Sequence, residues 1–158
     1  MRKKYQLLMC LSSAIIIIEL FMIKFQQNCI VKWKKQAEKS MGQFMLMNQW
    51  TRIKQEGKNL DEYFIRNNYM KIAVYGMGYI GTRLVKELRE SEIEIVYGID
   101  RNAKNLYADI RLITVDEKMA DVDAVVVTFT DEFNDICEML SERMDCPVIS
   151  IDDIVNEI

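Results

Sequence analysis

Short apolar runs alternate with helix-spaced segments through the second half of the chain. Lys71-Ile72-Ala73-Val74-Tyr75 reads as a strand. Beyond a glycine turn, Leu84, Val85 and Leu88 are apolar while Arg83, Lys86, Glu87 and Arg89 are polar, the spacing of an amphipathic helix. Glu94 to Ile99 is a second strand ending at Asp100, and Leu112-Ile113-Thr114-Val115 is a short third. Asp116 to Met119 holds no more than a turn of helix. Ala124-Val125-Val126-Val127-Thr128-Phe129 is β-branched and almost wholly apolar, as suits a parallel strand covered on both faces. Asp131 can cap a helix from Glu132 to Arg143 that turns Phe133, Ile136, Met139 and Leu140 inward. Pro147-Val148-Ile149-Ser150 makes a last strand with its proline at the first position, and Asp152 to Ile158 closes the chain as a helix capped by Ser150. Strands alternating with helices over short connections predict an α/β fold built on one parallel sheet of about five strands.

The first half has a different pattern. Tyr5 to Ile23 is apolar apart from Gln6, Ser12, Ser13 and Glu19, with four consecutive isoleucines from Ile15. Its length matches the roughly 20 residues that cross a hydrocarbon core as a helix. No small-x-small cleavage site lies beyond it, and four isoleucines in a row ill suit a buried helix of a soluble domain, so the expectation is a single-span transmembrane anchor rather than a removed signal or a buried helix. Lys24, Lys32, Lys34, Lys35 and Lys39 favour keeping the chain beyond the span cytoplasmic, Arg2, Lys3 and Lys4 argue the opposite, and a nucleotide fold with free thiols suits the cytoplasm. The expected localisation is the cell membrane, single-pass, with the soluble domain in the cytoplasm. From Ile30 to Glu56, Trp33, Ala37, Met41, Phe44, Met47 or Asn48, and Trp50 recur at three-four spacing, an amphipathic connecting helix. That face can meet a partner or a lipid surface, or fold back on the domain. Gly57 ends the pattern. Asn59 to Glu62 reads as a helix start with a capping box, and Leu60, Tyr63, Phe64 and Ile65 supply its apolar face. The expected boundaries are therefore an anchor at 1–29, a connecting helix at 30–58 and a nucleotide-binding domain at 59–158.

The chemistry concentrates at Gly76, Gly78 and Gly81, which fit G-x-G-x-x-G directly after a strand and at the mouth of a helix. Gly76 permits the tight turn, Gly78 lets backbone approach a pyrophosphate, and Gly81 lets the helix pack close to the strand. The helix start at Tyr79 and Ile80 adds free N–H groups and the positive end of a dipole. Asp100 lies about 20 residues on, where a ribose-binding carboxylate would stand, though Asp100-Arg101-Asn102 is equally a turn. Ligand would sit at the carboxyl ends of the strands, which adds Arg101 and Thr128 as candidates. Arg101 can answer a phosphate or face solvent, and Thr128 can offer a hydroxyl or simply end its strand. The pattern makes this a Rossmann-like domain.

Composition narrows the classes. The net charge of −3 argues against a nucleic-acid partner. Histidine is absent, which removes the usual general base at neutral pH and the commonest metal ligand. Cys10, Cys29, Cys137 and Cys146 form no C-x-x-C pair and read as reduced thiols, with a Cys137–Cys146 disulfide as the alternative that spacing alone does not support. No catalytic residue and no metal site is expected.

Lys71 to Asp100, the Val125-Val126-Val127 strand and Pro147 to Ile154 together resemble the small Rossmann-like domain of bacterial surface-polysaccharide proteins. That domain stands at the front of capsule-biosynthesis epimerases and dehydratases and beside sugar acetyltransferases and glycosyltransferases. Asn59 to Phe64 resembles the lead-in of its free-standing versions. The resemblance implies NAD, NADP or a nucleotide sugar at Gly76, Gly78, Gly81 and Asp100. It implies as partners a second copy, or a glycosyltransferase or epimerase chain. It does not carry catalysis: the Tyr-x-x-x-Lys pair of those enzymes has no counterpart, since Tyr107 is followed by Arg111.

Overall fold

The computed structural model describes residues 2–128 and 132–158, with side chains described from residue 18 onward. The chain divides into two compact units, Met1–Met41 and Gly42–Ile158. Helix α1 runs Arg2–Gln55, followed by α2 at Asp61–Arg66. Strand β1 (Lys71–Tyr75) leads to α3 (Tyr79–Glu87), and β2 (Glu94–Ile99) and β3 (Leu112–Ile113) come next. Then come β4 (Ala124–Val127), α4 (Phe133–Ser141), β5 (Val148–Ser150) and α5 (Ile151–Glu157).

The five strands form one all-parallel sheet in the order β3-β2-β1-β4-β5. β1 is the middle strand, and the winding reverses between β1 and β4. Alternation along the strands divides the core into two layers. Ile72, Val74, Ala124 and Val126 face one side, against the end of α1, α2, α3 and α5. Ala73, Tyr75, Val125 and Val127 face the other, with Ile136 and Leu140 of α4. This is why the β4 sequence is apolar without alternation: all four of its residues are buried.

Several expected boundaries move. Leu46, Trp50 and Ile53 share one helical face at spacings of four and three and join the core, with Trp50 only 4% exposed. Phe44, six residues before Trp50 and so about 120° round the helix, stays exposed. The single stripe read from Trp33 to Trp50 is therefore not one face. The capping box forms by half: Asn59 N–H donates to Glu62 Oε1 at 3.0 Å, but the Asn59 side chain accepts from Lys54 Nζ and caps nothing. Ile65 is exposed rather than part of the α2 face. Asn68, at φ 58°, turns the chain out of α2. β3 stops two residues early because Thr114 N–H is taken by the Glu117 carboxylate at 2.9 Å. Ser150 caps α5 as expected, its hydroxyl accepting from Asp152 N–H at 3.2 Å. The cap expected from Asp131, and Phe129 and Thr130 beside it, lie outside the described residues.

Among the described residues no helix is long and apolar enough to cross a membrane. Of the expected span, Tyr5 to Ile17 lie outside the residues whose side chains are described.

Candidate functional site

The site is built from the turn that leaves β1 at its carboxyl end. Gly76 sits at φ +93°, a region L-residues rarely enter, so the turn requires glycine there. A Cβ on Gly81 would stand 2.1 Å from the Gly76 carbonyl oxygen, so the first turn of α3 rests directly on the loop. Gly78 is different. It caps α3 in an extended conformation open to any residue, and a Cβ there would meet nothing within 4 Å. The space over Gly78 is therefore open.

Helix geometry leaves the first-turn N–H groups of Tyr79, Ile80 and Gly81 without an intrahelical partner. Thr82 N–H is the first to close a bond, to Gly78 C=O at 3.0 Å. Three main-chain donors thus converge beside an unfilled surface, at the positive end of a nine-residue helix.

Two neighbouring strands brace this loop. From β2, Asp100 Oδ2 accepts Met77 N–H at 2.8 Å, while Oδ1 accepts Asn102 N–H at 2.8 Å. From β4, the buried Thr128 hydroxyl donates to Gly76 C=O at 2.7 Å and lies 3.1 Å from Tyr75 C=O. A hydroxyl has one proton, so that of Thr128 is committed to the turn and not offered to a ligand. Asp100 serves the turn in the same way, and each of its oxygens keeps a lone pair for a further donor. Arg101 is exposed and pairs with Glu132 at 3.1 Å, a surface contact of small energy. The structure therefore gathers Gly76, Gly78, Tyr79, Ile80, Gly81, Asp100 and Thr128 around one turn and leaves Arg101 on the rim.

Sequence reasoning passed over four residues. Met77 is buried and lies across Gly98, where a Cβ would come within 2.8 Å of its side chain. A glycine inside an otherwise apolar strand was the available signal of that close approach. Arg83 and Lys86 line a groove of about 330 Å³ with Gly78, Tyr79 and Thr82. They also line a neighbouring groove of about 350 Å³ with Met47, Trp50, Thr51, Lys54 and Glu87. Arg83 lies over the exposed Tyr79 ring, 5.0 Å from its centroid. The signal was a pair of basic residues three apart on the outer face of the helix after the turn. A larger cavity, about 470 Å³, opens at the opposite, amino end of β4 and β5 and includes Cys146. Burial pushes the Cys146 thiol up, which keeps it protonated and unreactive at neutral pH. Cys29, Cys137 and Cys146 are free thiols, in keeping with the sequence reading. Among the described residues no cluster of acidic, cysteine or histidine side chains could hold a metal ion.

No curated protein and no solved structure matches the chain. Residues 68–151 match the family model described as C2185-like, N-terminal, a range that holds all five strands, the glycine turn, Asp100 and Thr128. That range covers more than half of the chain, which therefore belongs to the C2185-like N-terminal family.

Proposed function

We propose that Gly42–Ile158 is a binding module for a diphosphate-bearing ligand, NAD, NADP or a nucleotide sugar, that does not turn the ligand over by itself. The observation that carries this reading is the open surface over Gly78 beside the unpaired N–H groups of Tyr79, Ile80 and Gly81. They stand on the middle strand of the sheet, where the winding reverses and ligands of such folds bind. The diphosphate would lie against those N–H groups, with Arg83 and Lys86 adding positive charge along the groove. Asp100 would use its remaining lone pairs on a ribose hydroxyl. The sequence resemblance supports a place near surface-polysaccharide assembly. The apolar Tyr5–Ile23 segment supports a single-pass membrane tether with the module in the cytoplasm.

Thermal unfolding of the protein with NAD, NADP, uridine-diphosphate sugars and coenzyme A tests this. A ligand at one hundred times its Kd adds about 2.7 kcal/mol. A rise in Tm with one of them supports the reading; no rise with any at millimolar concentration opposes it.

A second reading is favoured by the bracing of the turn. Asp100 and Thr128 both spend hydrogen bonds on main chain, as they would in a fold retained for packing. On that reading the chain is a non-catalytic interaction protein, or the subunit of an epimerase or reductase completed by another chain. Ligand-independent capture of such a chain would favour it.

A further inference from the structure

Within Met1–Met41, helix α1 carries an apolar stripe over residues 23–41 and a lysine cluster on the other side, with Lys34, paired to Glu38, at the edge of the stripe and Phe25 among the lysines. Ile23, Ile30, Trp33, Ala37 and Met41 recur at seven, three, four and four residues, which is one stripe of an α-helix. All five are exposed, Trp33 at 72%. Lys24, Lys32, Lys35 and Lys39 recur at eight, three and four residues and fall on the far side of the same helix. The charge is segregated along the chain as well. Residues 1–41 hold eight lysines and arginines against two acids, whereas residues 42–158 hold thirteen against twenty-two.

We infer that this part of α1 lies on an anionic lipid surface. Its apolar stripe would enter the acyl boundary, Trp33 would sit at the headgroup level, and the lysines would reach the phosphates. A basic amphipathic helix with a tryptophan on its apolar side has the chemistry of such a surface, and long lysine stems let their charges reach outward. Charge decides between occupants. Two copies packed along the stripe would leave the outward lysines unneutralised, whereas anionic lipid neutralises them. The acidic remainder of the chain has no attraction for that surface, so the helix would be the contact. This goes beyond the tether reading, because it does not require Tyr5–Ile23 to span.

The test uses the full chain and its two tryptophans. Trp50 is 4% exposed and gives a constant background, so a change in emission reports Trp33. Vesicles of phosphatidylcholine with phosphatidylglycerol should move the emission to the blue and allow quenching by brominated acyl chains. Pure phosphatidylcholine should not, and high salt should reverse the effect. The triple variant Lys24→Glu, Lys32→Glu, Lys35→Glu should lose the response while still floating with vesicles through its apolar segment. Trp33 left in water on a protein that floats would overturn the inference and leave the tether standing. An equal response on neutral vesicles would overturn it too. A blue shift without vesicles that grows with protein concentration would assign the stripe to a second copy. Absence of flotation with any vesicle would overturn both the inference and the tether.

Discussion

Replacing Gly78 by leucine and Gly81 by alanine should separate binding from folding within a single turn. At Gly78 the backbone is extended (φ −77°) and the added Cβ meets nothing within 4 Å. The cost of a non-capping residue at a helix start, typically about 1 kcal/mol, is offset by the roughly 0.4–1 kcal/mol gained when glycine is removed from the unfolded chain. The variant should therefore melt within about 3 °C of the wild type. Its new side chain, however, fills the surface where a diphosphate would come down on the N–H groups. At Gly81 the added methyl stands 2.1 Å from the Gly76 oxygen and 3.1 Å from its carbon, and neither atom can retreat without moving the loop. Overpacking of this kind costs about 1–3 kcal/mol, which lowers Tm by about 5–10 °C. The assay is thermal unfolding of both variants with and without the ligand found for the wild type. Gly78→Leu should keep its Tm and lose the ligand-induced rise; Gly81→Ala should lose Tm outright. A Gly78→Leu protein that keeps the full rise would refute the placement of the ligand. An unperturbed Gly81→Ala would refute the close contact of helix and loop.

The same geometry sets other outcomes. Thr128→Val leaves the Gly76 carbonyl without its hydroxyl donor and should cost about 1–3 kcal/mol by urea unfolding, with no separate effect on ligand chemistry. Tyr97 donates to Ala120 C=O at 2.7 Å, and burial pushes its phenol up to about 12. Since the folded value lies above the unfolded one, this contribution is intact below about pH 10 and is lost as pH rises toward about 12. Tyr97→Phe should accordingly be less stable than wild type at pH 8, by about 1 kcal/mol, and the gap should close at about pH 11 and reverse by about pH 12, since each pH unit above about 10 costs the wild type about 1.4 kcal/mol. A fragment of residues 42–158 should fold cooperatively. A fragment of 59–158, which lacks Leu46, Trp50 and Ile53, should be several kcal/mol weaker, as the loss of even one large buried side chain costs about 2–5 kcal/mol.

The sheet was legible because its strands are buried on both faces and so read as unbroken apolar runs; Val125, Val126 and Val127 admit little else. The glycine turn was legible for a related reason, since each glycine answers a local demand of backbone geometry. What the turn does with its neighbours was not. Thr128 looks the same in sequence whether its hydroxyl points outward or back at Gly76, and the partner is 52 residues away. Asp100 carries the same ambiguity toward Met77 N–H, 23 residues away. Likewise the helix before the domain offers several apolar faces, and only the assembled core selects Leu46, Trp50 and Ile53 over Phe44. The end of β3 was set by a carboxylate, that of Glu117, reaching back to Thr114, a side-chain competition that strand propensity does not register.

The most direct test is a titration of ¹⁵N-labelled full chain, monitored through its amide resonances, with NAD, NADP and uridine-diphosphate sugars. One of them should shift the amides of Gly78, Tyr79, Ile80 and Gly81 together and saturably, with Met77, whose N–H is held by Asp100, following them. Shifts confined to other residues, or none at millimolar ligand, would contradict it.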